Sequence, residues 1–214
     1  MLSAAVEHSP MIFEDNWTEP DARGGRPVKT HRVRFSSQQE QGLFLRNMVD
    51  TFRHTNAMRQ WATGVIFAGC RPKQRLCHAL RLARWVQEHV RYVNEGDETF
   101  QVPPRTLRFR FGDCDDFSTL IATGLEAVGI KCELVLMWIA DPPGRVARAL
   151  EGLGIPWEAT RTGSYRHIFP RAVIPVGKGI LRVPLDATLT ARAGRANPLR
   201  IAARRGDKVR TLVL

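Results

Sequence analysis

Three residues in this chain have the types and the spacing that thiol chemistry requires. Cys114 lies in "FGDCDDFSTLIATGLEAVGIKCELVLMW" (111–138), where a loop turns into an amphipathic run. His167 and Asp186 lie in "SYRHIFPRAVIPVGKGILRVPLDATL" (164–189), two extended runs around a turn containing Gly177 and Gly179. A nucleophilic cysteine needs a lowered thiol pKa, a base or imidazolium beside it, and a group that orients the imidazole. A helix N-terminus supplies part of the first, because its amides and macrodipole favour negative charge. Asp113 stands where an N-cap belongs and Asp116 falls three residues later, a capping-box-like spacing, so Cys114 becomes the first helical residue. Asp115 and Asp116 oppose a thiolate there, and the site therefore demands a cation close by, which a histidinium supplies.

A register argument joins the other two residues. A four-residue loop over 175–178 pairs Ile174 with Gly179, and the same hairpin then sets His167 directly opposite Asp186. Cross-strand partners on one face have Cβ atoms about 4.5–5.5 Å apart, within reach of an imidazole and a carboxylate. A two-residue loop at Gly177–Lys178 shifts the pair to a diagonal that is still near enough. Thiol, imidazole and carboxylate then form a Cys-His-Asp constellation. The competing readings are ordinary ones: Cys114 as a structural thiol, His167 as a core histidine, Asp186 capping a turn with Thr188, and the 113–116 acids as a metal site. The last is the poorest, since Asp113 and Asp116 have capping roles.

Together, "GDCDDFSTLIATGLEAVGI", "YRHIFPRAVI" and "LRVPLDAT" resemble the transglutaminase-like superfamily of papain-type thiol enzymes. Its pattern is Gly-Asp-Cys opening a helix, a strand-borne His, and an Asp in a phrase of the "plDaT" kind. The upstream "ARWVQEHVRYVNEGDETFQVPPRTL" is similar to versions encoded by tailed phages and prophages, so the likeness spans roughly 76–190. Two departures stand out: "IFP" and Arg182 occupy positions where the family often has aromatics, and an insert separates Trp138 from His167. The resemblance implies an α+β, papain-like core, with N-terminal helices and a nucleophile helix packed on an antiparallel sheet. It makes Cys114 the nucleophile, His167 the general acid/base and Asp186 its orienter, acting on a protein or peptide substrate. It implies no cofactor and no metal. The rival role is a virion or tail-assembly component that uses this fold as a docking module.

The elements that must position these residues can be read around them. Residues 36–69 read as one or two helices with Leu43, Phe44, Met48, Phe52 and Met58 on the apolar side. A helix over 73–93 carries Leu76, Leu80, Ala83, Val86 and Val90. A long connection (94–112) with two prolines and a short strand leads to a helix over 114–128, which Gly129 ends. A buried strand, "KCELVLMWIA", follows, and then a Gly/Pro-punctuated insert over 141–163. The domains so read are an acidic arm (1–35), the body (36–190) and a basic tail (191–214), both ends being irregular extensions apart from "VKTHRVRFS" (28–36), which alternates as a short strand.

The chain of 214 residues has a formal charge of +11, from 32 basic and 21 acidic side chains. Such a balance suits nucleic acid, an acidic surface or a large assembly, but no base-reading motif is present, which argues against nucleic acid. The oppositely charged ends suit phage structural proteins as partners. The apolar stretches are far below the roughly 20 residues of a membrane span, and the start lacks the features of a signal peptide. The expected location is a reducing host cytoplasm, with virion association in the rival role. The four cysteines form no CxxC pair, so neither a zinc site nor a disulfide framework is expected. Cys77 and Cys132 read as packing residues, and Cys70 as a loop thiol with no partner.

Overall fold

The chain falls into two units, Met1–Gln41 and Gly42–Leu214. The computed structural model describes residues 13–19, 28–33, 35, 37–93, 100–140, 164–188 and 209–214. In the first unit, β1 (Phe13–Glu19) and β2 (Val28–Val33) pair antiparallel, with an irregularity between Glu14 and Asn16. β2 falls in the run 28–36 that alternates as a strand in the sequence, and β1 adds a partner within the lead-in read as irregular. The insert at 141–163 and most of the basic tail lie outside the described residues.

The apolar rhythm after Ser37 becomes two helices, α1 (Gln38–Phe52) and α2 (Asn56–Phe67). Ser37 caps the first by accepting from the Glu40 amide at 3.1 Å. The Thr55 hydroxyl donates back to the Phe52 carbonyl at 2.8 Å, so the chain breaks between the helices. Leu45, Met48 and Val49 of α1 and Met58, Ala62, Val65 and Ile66 of α2 are buried. In α3 (Arg75–His89) the buried positions are Ala79, Leu82, Ala83 and Val86, with Leu76 exposed. The core stripe is thus rotated from the one the sequence suggested. It takes in His78, which is buried with Nε2 bonded to the Arg71 carbonyl at 3.0 Å.

The connection before the cysteine holds more structure than expected. A two-residue strand, β3 (Arg91–Tyr92), precedes α4 (Pro103–Phe109), and β4 (Phe111–Gly112) returns to pair with β3 in parallel. Pro103 and Pro104 open α4 at positions where a missing N–H removes no helical bond. Arg110, left-handed at φ 58°, closes it.

α5 (Cys114–Ala127) is the central helix, buried from Asp115 through Leu125. Gly129, at φ +76°, ends it: the amides of Gly129 and Ile130 return to the carbonyls of Glu126 and Leu125, a Schellman closure. Phe117, Leu120, Ile121 and Leu125 point into the core, each contributing roughly 2 kcal/mol by burial. α2, α3 and α4 cover one side of α5, and the other packs on a four-stranded antiparallel sheet. Its strands are β5 (Cys132–Ala140), β6 (Ser164–Val176), β7 (Gly179–Pro184) and β8 (Val209–Val213), in the order β7-β6-β5-β8. The fold is α+β, with the helix that Cys114 opens packed on an antiparallel sheet. β8 belongs to that sheet, although its residues were read as irregular tail.

Of the two β6–β7 loops open to the sequence, the structure has the two-residue one: Val176 pairs with Gly179, and the pairing shifts by two from the four-residue register. One further expectation changes. Cys70 and Cys77 are joined in a disulfide, their Cα atoms 5.9 Å apart. The reading of one as a partnerless loop thiol and the other as core packing is overturned. The short α2–α3 turn brings the first turn of α3 back onto Cys70, a proximity that a seven-residue spacing without CxxC concealed. Among the described residues no helix is long and apolar enough to cross a membrane.

Candidate active site

Cys114 occupies the first helical position of α5 and is half-buried. Asp113 is the N-cap, its carboxylate accepting from the Asp115 amide at 3.1 Å. The Asp115 carboxylate accepts from the Asp116 amide at 2.9 Å, and the Phe117 amide returns to the Asp113 carbonyl at 3.1 Å. Oxygens of the three carboxylates lie within 4.8 Å of one another, those of Asp113 and Asp115 held by amides that a helix start exposes. The capping-box expectation for Asp116 is replaced by a longer reach. Its buried carboxylate accepts from the Gln101 backbone amide at 2.8 Å and the Gln101 side-chain amide at 3.0 Å. Gly112 makes this possible, since a Cβ there would stand 2.6 Å from the Asp116 Cβ.

His167 and Asp186 meet. His167 Nε2 lies 2.6 Å from Asp186 Oδ2, with the two side chains only 3% and 1% exposed. The other carboxylate oxygen accepts from the Thr188 amide at 3.0 Å and the Thr188 hydroxyl at 2.7 Å. The turn with Thr188 and the bond to His167 therefore use different oxygens, so the two contacts do not exclude each other. The two-residue β6–β7 loop makes the pair diagonal, with Asp186 just past the end of β7. The His167 ring also stacks on Phe169, centroids 6.2 Å apart. A carboxylate on Nε2 places that nitrogen's hydrogen in the bond and the lone pair of a neutral imidazole on Nδ1.

Ser118 links the helix start to this strand. Its hydroxyl lies 2.6 Å from the Cys114 carbonyl and 3.1 Å from the Ile168 carbonyl, the residue after His167. The first turn of α5 is thus tied to β6 on one side and, through Asp116, to the segment before α4 on the other. Sequence reading missed both Gln101 and Ser118. Ser118 left a faint signal, a small polar residue four positions from Cys114 on an otherwise apolar face. Gln101, beside a Pro-Pro pair in a long connection, left none.

A cleft of about 600 Å³ lies at the opposite end of α5, lined by Arg46, Arg53, Glu126, Lys131 and Leu214. It holds an ion network. Arg46 and Arg53 reach the same Glu126 oxygen at 2.6 and 2.7 Å, and Arg46 also bonds Asp50 and the Cys132 carbonyl. Cys132 is buried beside it. Burial first, and then the Glu126 carboxylate, push its thiol far above the ordinary range.

The sequence profile of the Transglutaminase-like superfamily matches residues 62–175, more than half of the chain and inclusive of Cys114 and His167. Among solved structures, a protein provisionally named a cysteine protease, from Cytophaga hutchinsonii, is similar at 15% identity and a TM-score of 0.46. The match covers 96% of this chain and 73% of that one. A second, provisionally named a protease, from Parabacteroides distasonis, matches at 10% identity and a TM-score of 0.45, over 91% of this chain and 37% of its own. No curated protein matches the chain.

Proposed function

The chain belongs to the transglutaminase-like superfamily, and from that membership we propose that it is a cysteine-dependent acyl-transfer enzyme, a peptide or amide hydrolase. Cys114 is the nucleophile, His167 the general acid/base and Asp186 the residue that orients the imidazole. The observation that carries this reading is the buried 2.6 Å bond between His167 Nε2 and Asp186 Oδ2, with Thr188 holding the second oxygen. That bond leaves Nδ1 as the nitrogen for exchange with the thiol, and the Ser118 bridge supports bringing strand and helix start together.

In the proposed cycle the Cys114 thiol passes its proton to His167 Nδ1, and the thiolate attacks the carbonyl carbon. The Cys114 backbone N–H donates to the oxyanion. As the tetrahedral intermediate collapses, the C–N bond breaks and the imidazolium gives its proton to the leaving amine, which leaves a thioester. Water, deprotonated by His167, attacks the thioester, and the carboxylic acid departs as the thiol is restored. The resemblance of the segment before Cys114 to phage-encoded versions motivates a second role, attachment to particle proteins. An acidic start (five acids and two arginines in residues 1–28) and a basic end suit attachment to particle proteins.

The test is labelling by iodoacetamide across pH, with and without His167→Ala, with the labelled peptide mapped. Selective labelling of Cys114 that extends below the ordinary thiol range, and loses that extension in the variant, supports the pair. Identical profiles in both proteins overturn it. For the attachment role, purified phage particles that lack the chain at fixed stoichiometry rule it out.

A further inference from the structure

Gln101 is nearly fully buried, yet it sits in a connection outside the three residues of the proposed chemistry. Its side-chain nitrogen makes two bonds at once: to the Phe111 carbonyl at 3.1 Å and to Asp116 Oδ2 at 3.0 Å. Its backbone amide holds the other Asp116 oxygen at 2.8 Å. Phe111 stands three residues before Cys114, and Asp116 stands two after. One side chain therefore spans the turn that presents the thiol, gripping it on both sides of the nucleophile.

The chemistry of the grip is specific. Both partners are acceptors, so the position requires two N–H donors on one planar group at the end of a glutamine-length stem. Gln101 Oε1, on the other side of the amide, has no hydrogen-bond partner among the described residues. A flipped amide would set that oxygen against two acceptors, so only one orientation serves. A buried oxygen without a partner costs free energy, and the donor side offsets it. Gly112 completes the clamp, because any Cβ would displace Asp116.

We infer that Gln101 is a positioning residue: it fixes the 111–116 turn so that the Cys114 thiol is held toward its imidazole. The inference rests on the thiol-enzyme reading above and assigns Gln101 no contact with substrate. Loss of the clamp leaves the thiol in place but lets the turn sample other conformations, so the thiol–imidazole pair is populated less.

The experiment uses the full chain with Gln101→Met, which keeps the volume and removes both donors, and Gln101→Glu, which keeps the shape and presents acceptors to acceptors. Carboxamidomethylation of Cys114 by iodoacetamide is followed over about pH 5 to 10, a range bracketing an ordinary thiol. The rate for Gln101→Met is expected to fall about tenfold near neutrality while converging with the wild type at high pH, where every thiol ionises. Gln101→Glu is expected to lose more at neutral pH and to recover toward acid, as a shared proton restores one donor. Profiles that superimpose on the wild type, whatever happens to the urea midpoint, overturn the positioning role and leave a structural one. If His167→Ala alone leaves the profile unchanged, the enzyme reading fails instead. On the unsubstituted protein, both Gln101 side-chain amide hydrogens should exchange slowly with solvent, and fast exchange overturns the clamp even if neither variant folds.

Discussion

The two ends of α5 each hold a cysteine outside the disulfide and beside buried acid, and they treat it in opposite ways. At the C-terminal end, Cys132 is sealed in the core next to Glu126, whose charge is matched by Arg46 and Arg53. Burial and that carboxylate keep the thiol protonated. At the N-terminal end, Cys114 is half-exposed, and the surrounding carboxylates are bonded to amides. Acid near a thiol therefore does not by itself decide whether the thiol reacts. What differs is access, the direction of the helix dipole, and whether an imidazole can approach.

The comparison breaks most sharply at Cys114, the proposed nucleophile. Cys114→Ala should lose at least about a thousandfold in hydrolysis of any peptide or amide the wild type cleaves. Cys132→Ala should keep its rate per folded molecule. Equal activity in the two variants would remove the distinction between the ends. A smaller loss is expected for His167→Ala, about a hundredfold or more, if it is the general acid/base proposed above. Its labelling profile should move toward that of an ordinary thiol, a shift that mass spectrometry of the Cys114 peptide reads directly.

The N-terminal end was largely legible in the sequence. Asp-Cys before an apolar run marks a helix start, and alternating residues around Gly177 mark a hairpin, so three distant positions could be set in one frame. The hairpin loop length was not legible, because Gly177 and Gly179 permit several turns, but the diagonal and direct registers both keep His167 near Asp186. Gln101 was hidden for a physical reason: its role depends on where a nonperiodic connection folds back, and no periodicity reports that. The same holds for α4, whose seven residues are too few to show a helical rhythm behind two prolines. Cys70 and Cys77 were misread because their pairing follows from the geometry of an interhelical turn. At the C-terminal end, Gly129 announced the stop, whereas the Glu126 network joins residues roughly eighty apart and is visible only in three dimensions.

That network sharpens the comparison in stability. Glu126→Gln removes the carboxylate shared by two guanidinium groups and leaves Arg46 partly buried with Asp50 as its remaining acid. The expected cost is about 3 kcal/mol, read from urea unfolding, with the Cys114 labelling profile unchanged. A large change in that profile would mean that the two ends of α5 are coupled and do not act separately. Reduction of the Cys70–Cys77 bond should cost less, about 2 kcal/mol, because the loop it closes is short. The check is a pair of unfolding curves with and without a reductant, using Cys114→Ala so that this free thiol plays no part.

The smallest effect expected is the acid limb of the same ion network. The hydrogen bond from Arg46 holds the Asp50 carboxyl below its ordinary 3.8, against the opposing effect of burial, with the charges of Arg46 and Arg53 assisting. A depressed folded pKa means that the unfolded chain takes up the proton first. The stabilisation is therefore complete above the unfolded value of 3.8 and is lost as pH falls below it, through the lower folded value. Asp50 is 41% exposed, so solvent screens the pair and its share stays below about 1 kcal/mol. Asp50→Asn should flatten the fall in stability below that pH while leaving the neutral-pH thiol profile of Cys114 alone. An unchanged acid limb would show that the guanidinium of Arg46 is committed to Glu126, with Asp50 a bystander.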